Sequence, residues 1–156
     1  MSAETDVIDA VLGAEAAARV AVVRRSRPAV VEHTQGVHDS LFAGPGGVGF
    51  GPERLALIAT HVAALGEAAE LAAHYARRAG SAGAEQDSAH DAKLTAALHH
   101  ATRLTTAPST STRAHIDALL AAGLTETDIV TVSQLVGFVN YQVRLLAGLA
   151  LIGATR

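Results

Sequence analysis

Three ionisable residues, Glu67, Glu70 and His74, follow one another at three- and four-residue steps in the middle of the chain. On a helix, at about 100° per residue, their side chains would fall within about 60° of one another. Glu70 could then contact His74, raise the basicity of the imidazole and fix its tautomer, as a general acid-base pair requires. A Glu and a His at this spacing are also typical of a solvated ion pair that contributes roughly a few tenths of a kcal/mol.

The segment that positions these residues is predicted to be one helix, residues 52–79. Pro52 favours a first helical turn because its missing N–H would be unpaired there, and Gly80 favours a helix end. Apolar residues between them recur with the period of a helix that lays one face on a core. This stripe consists of Leu55, Ile58, Val62, Leu65, Ala69 and Ala72.

A divalent metal held by Glu67, Glu70 and His74 is an alternative use of the same strip. Zinc and iron sites need three or four ligands, so another helix or subunit would have to supply the remainder. Elsewhere, His33 and His38 point about 140° apart on a helix and are predicted to be surface or hydrogen-bonded histidines. The prediction is therefore for no metal and no cofactor.

Composition narrows the class of protein. The 156 residues, 49% apolar and 17% charged, fit one domain, residues 1–156. A net charge of −3 and 3% aromatic residues argue against a nucleic-acid partner, and the absence of cysteine excludes a thiol peroxidase. The acidic start, MSAETDVIDA, does not read as a secretory signal, so a cytoplasmic location is expected.

The rest of the chain reads as helices separated by Gly, Pro and polar breaks, and no segment alternates as a strand does. The breaks are the Gly-rich residues 43–52, the polar residues 81–91 and residues 107–112. The predicted helices cover residues 6–12, 14–25, 28–42, 88–105 and 113–122, followed by one opened by a capping-box variant at residues 125–128. We therefore expect an all-α bundle.

The last helix, DIVTVSQLVGFVNYQVRLLAGLALIG, is apolar on nearly every side, so it must be buried or span a membrane. Gln134, Asn140, Gln142 and Arg144 would be costly in lipid, which favours a bundle core or an oligomer interface and no membrane. We assign Tyr141, Gln142 and Arg144 as candidate substrate-binding residues. Alternatively, such polar groups satisfy the backbone of neighbouring helices, and Arg144 pairs with a carboxylate.

The stretch GEAAELAAHYARRAG resembles the motif helix of the carboxymuconolactone decarboxylase and AhpD-like alkylhydroperoxidase superfamily. That family carries a Cys-x-x-Cys-x-x-x-His pattern on this helix. When the pattern is aligned on His74, Glu67 and Glu70 stand where the family has its cysteines. Leu55 stands where peroxidase members carry a further Glu. The segment Glu70-Leu71-Ala72-Ala73-His74 is similar to the Glu-Trp-x-x-His form of cysteine-free, decarboxylase-like members. HTQGVHDSLF and the tail from Gly123 resemble other parts of peroxidase-related members.

This resemblance implies an AhpD-like orthogonal bundle of about six or seven helices that forms homo-oligomers, trimers or hexamers. One functional hypothesis is cofactor-free proton transfer or decarboxylation on a small carboxylated lactone, with His74 as acid or base and Glu70 orienting it. Arg144 or Tyr141 would then hold the substrate carboxylate. The alternative is a catalytically inactive structural or regulatory subunit, partnering a cysteine-bearing paralogue, because both redox residues are missing.

Overall fold

The computed structural model describes residues 6–43, 49–80 and 88–155. Within these ranges the chain forms eight α-helices, one short 3-10 turn and no strand, which confirms the predicted all-α class. The centre of the Gly-rich stretch and most of the polar linker, residues 44–48 and 81–87, lie outside the described residues. The helices are α1 (Val7–Leu12), α2 (Ala14–Arg25), α3 (Pro28–Phe42), α4 (Pro52–Leu65), α5 (Ala69–Ala79), α6 (Ser88–Thr106), α7 (Arg113–Ala121) and α8 (Glu126–Ala154).

Two helices, α4 and α8, form the centre of the hydrophobic core. Leu55, Ile58 and Val62 of α4 are fully buried, as the apolar period of that segment predicts. Leu135 and Val139 are fully buried on α8. Helices α5 and α6 pack against α4, so the bundle is built around this pair and the remaining helices cover its sides.

The predicted single helix over residues 52–79 is wrong, because α4 ends at Leu65 and α5 begins at Ala69. The Ala68 N–H donates to the Ala63 carbonyl and the Glu67 N–H donates to the Ala64 carbonyl, each at 3.0 Å. These two bonds form a Schellman motif, in which Glu67 takes the left-handed conformation, φ 55°, that glycine usually occupies. The helix stops because its last carbonyls are satisfied by this turn.

Close approach of the turn to α8 explains why residue 66 is glycine. A Cβ placed on Gly66 would lie 3.0 Å from Cγ1 and 3.1 Å from Cγ2 of Val143. Any larger residue would force the turn between α4 and α5 away from α8. Gly66 is therefore required for close packing against α8, whereas the left-handed backbone conformation is adopted by the next residue, Glu67.

Local signals at other helix ends work as expected. Pro28 and Pro52 stand in the first turns of α3 and α4. The predicted capping box of α8 is confirmed, since the Asp128 N–H donates to Thr125 Oγ1 at 3.1 Å and the Thr125 N–H donates to Asp128 Oδ2 at 2.9 Å. The helix ends that are marked by a side-chain cap or by proline therefore lie close to the predicted residues.

Helix α8 is both the main core helix and the longest surface helix. Among the described residues it is the one helix long and apolar enough to cross a membrane by length and composition, with a mean hydropathy of 1.6 over its most apolar window. A buried core helix of a soluble protein passes the same test, and one third of that window is buried. Val130, at 55% exposure, and Leu151, at 72%, belong to the apolar surface that α8 leaves uncovered.

Candidate functional site

The break between α4 and α5 separates the three residues that the sequence placed on one strip. Glu67 lies in the turn, whereas Glu70 and His74 lie on α5. Both glutamates are exposed and His74 is half-buried. The predicted Glu70–His74 contact is not formed: no hydrogen bond or ion pair joins these two described side chains. Glu70 is also not among the groups that shift the pKa of His74.

His74 instead belongs to an aromatic group between α3 and α5, which we call the His38–His74 cluster: His38, Phe42, His74, Tyr75 and Arg78. The His74 ring lies edge-on to Tyr75 at 5.2 Å and 6.4 Å from the His38 ring, centroid to centroid. Burial lowers the pKa of His74, and the positive potential of His38, Arg77 and Arg78 lowers it further. The His74 imidazole is therefore neutral near pH 7 and able to accept a proton.

His38 is the member of this cluster whose role the sequence did not reveal. It is 8% exposed, and its Nδ1 lies 3.2 Å from Oδ1 of Asp39, while its Nε2 is buried without a hydrogen-bond partner in the structure. Burial lowers the pKa of His38 although the hydrogen bond to Asp39 opposes the shift. The available signal was its place on the inward stripe of α3, four residues after Thr34 and three before Leu41.

Gln142 lies in the core rather than in a cavity. The Tyr75 hydroxyl donates to Oε1 of Gln142 at 2.7 Å, and both side chains are fully buried. Burial raises the pKa of Tyr75 far above its ordinary value, and the hydrogen bond to Gln142 offsets only part of that shift. Nε2 of Gln142 has no partner in the structure. This pair joins α5 to α8, so in this chain its evident role is to hold the two helices together.

Tyr141 and Arg144 lie on the outer side of α8. The Tyr141 hydroxyl is 3.1 Å from Oγ1 of Thr34, and its ring, 38% exposed, lines a groove of about 490 Å³ between α3 and α8. Arg144 is exposed and donates to the backbone carbonyl of Asn140 at 3.3 Å. The expected pairing of Arg144 with a carboxylate is not formed with any Asp or Glu side chain that the structure describes. The three predicted substrate-binding residues therefore occupy three different environments.

The two glutamates line a cavity of about 350 Å³ that His74 does not reach; we call it the α5 cavity. The turn between α4 and α5 contributes Glu67, and the first turn of α5 contributes Glu70. Apolar side chains form the walls. They come from three helices: Val11 and Leu12 of α1, Leu71 of α5, and Val143, Leu146, Ala147 and Ala150 of α8.

The metal alternative would need Glu67, Glu70 and His74 to converge on one ion. Glu67, Glu70 and His74 do not converge, and no group of three His, Asp or Glu residues in residues 6–43, 49–80 and 88–155 is placed to hold an ion. Comparisons with protein-family models, curated proteins and solved structures find no match for this chain. The family resemblance therefore remains a prediction, and functional conclusions rest on the geometry.

Proposed function

We propose that this protein is a cysteine-free, AhpD-like structural or regulatory subunit that assembles with further copies of itself through the outer face of α8. One observation carries the proposal: α8 has a long, uncharged and mostly apolar stripe whose members are exposed, except for the partly buried Leu145 and Gly148. The same reasoning extends to a cysteine-bearing paralogue as an alternative partner with a similar face.

The stripe follows a single line along the helix. At about 100° per residue, its members fall within about 40° of the direction of Tyr141. Val130 is 55% exposed and Ile152 is 37% exposed. None of the members carries a formal charge. They are Val130, Gln134, Gly137, Tyr141, Leu145, Gly148 and Ile152.

Small residues leave room for a second helix on this stripe. A Cβ placed on Gly137 or Gly148 would meet no atom of a neighbouring element within 4 Å. The distance between two packed helices is set by the side chains at their contact, so these two positions allow close approach. Val30, at 46% exposure, and Val37, at 44%, extend the apolar face onto α3.

The size and charge of this face suit a second copy of the chain. The 22 steps from Val130 to Ile152 span about 33 Å at 1.5 Å per residue, and two adjacent helices are about 20 Å wide. The face is therefore roughly 650 Å² per copy, near the roughly 800 Å² that a stable interface buries on each partner. Near the axis of a two-fold contact, a residue lies close to the same residue of the other copy. An uncharged stripe brings no like charges together there.

Light scattering coupled to size-exclusion chromatography tests this proposal. We expect an oligomer in detergent-free buffer, and Val130→Glu should shift it to monomers because it buries a charge at the interface. Leu120→Glu is the matched control, since Leu120 is 39% exposed on α7, outside the stripe, and should leave the mass unchanged. A monomeric wild-type protein, an unchanged mass in Val130→Glu, or recovery only with detergent or lipid vesicles would contradict the proposal.

A second function is supported by the two neutral imidazoles of the His38–His74 cluster. A neutral imidazole can take a proton from the carbon next to a lactone carbonyl, and burial lowers the pKa of His74. Solvent deuterium uptake into a small carboxylated lactone, followed by NMR, tests this activity. It should occur with the wild type and with His33→Gln, an exposed control, and disappear with His74→Gln. Equal uptake in all three proteins would exclude His74 as the base.

A further inference from the structure

The α5 cavity combines an apolar interior with negative charge at its edge. Its volume of about 350 Å³ lies within the range of small-molecule sites. Leu12, Leu71, Val143 and Leu146 line it from three helices, so an apolar group inside it would be covered from several sides. The cavity is therefore suited to the hydrocarbon part of a ligand.

Among the described residues that line the cavity, the ionisable groups are two carboxylates. Glu67 and Glu70 are exposed, and neither forms an ion pair with a basic side chain of the described residues. No Lys, Arg or His in residues 6–43, 49–80 and 88–155 is among the residues that line the cavity. No basic side chain of the described residues therefore pairs with the charge of this edge, and a ligand cation near it would gain two attractive interactions.

The start of α5 raises the opposite possibility, that the cavity prefers an anion. Ala68, at the N-cap, offers no side chain to the free N–H groups of the first turn, and such groups attract anions. However, Glu70 stands in that first turn and already places a carboxylate at the positive end of the helix dipole. An incoming anion would also meet Glu67, so a cation is favoured.

We propose that the α5 cavity binds a primary alkylammonium ion, with the ammonium group at Glu67 and Glu70 and the alkyl chain along Leu71 and Leu146. An ammonium group supplies three N–H donors, enough for both carboxylates and water. Each methylene that is fully buried tightens binding by about fourfold at most, so affinity should rise with chain length until the cavity is filled.

This site is independent of the proposed assembly. Val143, Leu146 and Ala150 point about 140–180° away from Tyr141 around α8, at about 100° per residue. A ligand in the cavity and a second chain on the stripe would occupy opposite sides of the same helix. Failure of one proposal therefore leaves the other standing, and the Val130→Glu variant should bind the ligand as well as the wild type does.

Three probes with the same tail test the proposal by NMR titration of the isotopically labelled protein: n-octylammonium, 1-octanol and octanoate. We expect n-octylammonium to bind about tenfold more tightly than octanoate. It should bind at least about threefold more tightly than 1-octanol, because each exposed carboxylate contributes only modestly to the binding free energy. The largest shifts should fall on the amides of residues 66–71 and on Val143.

Matched variants identify the groups responsible. Glu67→Gln with Glu70→Gln should abolish the preference for n-octylammonium over 1-octanol and leave 1-octanol binding unchanged. Glu53→Gln is the control, since Glu53 is exposed at the far end of α4, about 20 Å from Gly66 along the helix. Ala147→Leu, which fills the cavity from an exposed position, should weaken both neutral and cationic probes.

The outcomes are decisive in both directions. Tightest binding of octanoate would show that the helix terminus dominates and would overturn the proposal. Equal binding of the three probes would show a purely apolar groove, and no detectable binding of n-octylammonium would show that the cavity takes no such ligand. A preference for n-octylammonium that persists in the double glutamine variant would place the cation elsewhere.

Discussion

Tyr75 donates a 2.7 Å hydrogen bond to Gln142 across the contact of α5 with α8, and neither side chain has any solvent exposure. The two residues are 67 positions apart, and their hydroxyl and amide meet inside an otherwise apolar core. A buried hydrogen bond of this kind matters most through the cost of leaving one of its partners unpaired. The bond also helps to fix Tyr75, whose ring contacts the His74 ring at 5.2 Å between centroids.

Removing one partner of this bond should destabilise the protein more than removing both. Tyr75→Phe leaves Gln142 Oε1 buried and unpaired, and Gln142→Met leaves the Tyr75 hydroxyl unpaired, so each should cost about 1–3 kcal/mol. The double variant should lose less than either single variant does, and urea unfolding can measure the resulting coupling energy. Strictly additive losses would indicate that the hydrogen bond contributes no coupling.

Acidification should destabilise the fold through its buried histidines. The pKa values of His38, His74 and His100 are lowered, each mainly by burial, so the unfolded chain binds more protons than the folded one below about pH 6.5. The contribution of these neutral histidines to the free energy of unfolding should be fully present above that pH. It should fall as the pH drops from about 6.5 towards the lowered pKa values of the folded state. Unfolding free energies at about pH 7.5 and 5.5 would show it, with a shallower fall in His38→Gln than in the exposed His33→Gln control.

Replacement of Gly66 should disturb the contact between the α4–α5 turn and α8. Gly66→Ala places a methyl group 3.0 Å from Val143 and should cost about 1–3 kcal/mol through overpacking. Adding Val143→Ala should recover part of that loss in the double variant. Gly36→Ala is the matched control: its Cβ meets nothing within 4 Å in α3, so it should stabilise by about 0.5–1 kcal/mol. Thermal unfolding distinguishes the opposite signs.

Glu67 should be improved as a helix-stop residue by glycine. Its φ of 55° places an L residue in the left-handed region, where the Cβ costs roughly 1 kcal/mol, so Glu67→Gly should raise stability by about that amount. Glu70→Gly, three residues later inside α5, should lower stability by about 0.5–1 kcal/mol. Equal destabilisation by both substitutions would mean that the Schellman turn does not form in solution.

Much of the fold was predictable because its signals are local. Proline at the first turns of α3 and α4 and the Thr125–Asp128 capping box act within a few residues, and helix ends at these positions agree with the structure. The break after Leu65 was not predicted, because the prediction depended on such local signals. Its left-handed residue is Glu67 rather than a glycine, so the local signal for a helix end was weak at the place where it mattered.

Much less of the candidate site was predictable. Helical spacing put Glu67, Glu70 and His74 on one strip only while α4 and α5 were taken as one helix, and the turn between them divided the group. Gln142 and Tyr141 are neighbours in the sequence, yet Gln142 faces Tyr75 in the core, whereas the partly exposed Tyr141 contacts Thr34 of α3, because adjacent helical residues point about 100° apart. The proximity of His38 to His74 could be recognised only from the way α3 lies beside α5.

The sequence by itself determined the helical class, most helix ends and the absence of thiol chemistry, since these follow from composition, period and the conformational preferences of single residues. Only the tertiary structure decided that the two glutamates lie beside an apolar cavity while His74 joins His38. The physical reason is that a side chain's pKa, its partners and its access to solvent are set by residues distant in sequence, and their approach depends on where each helix stops and what it packs against.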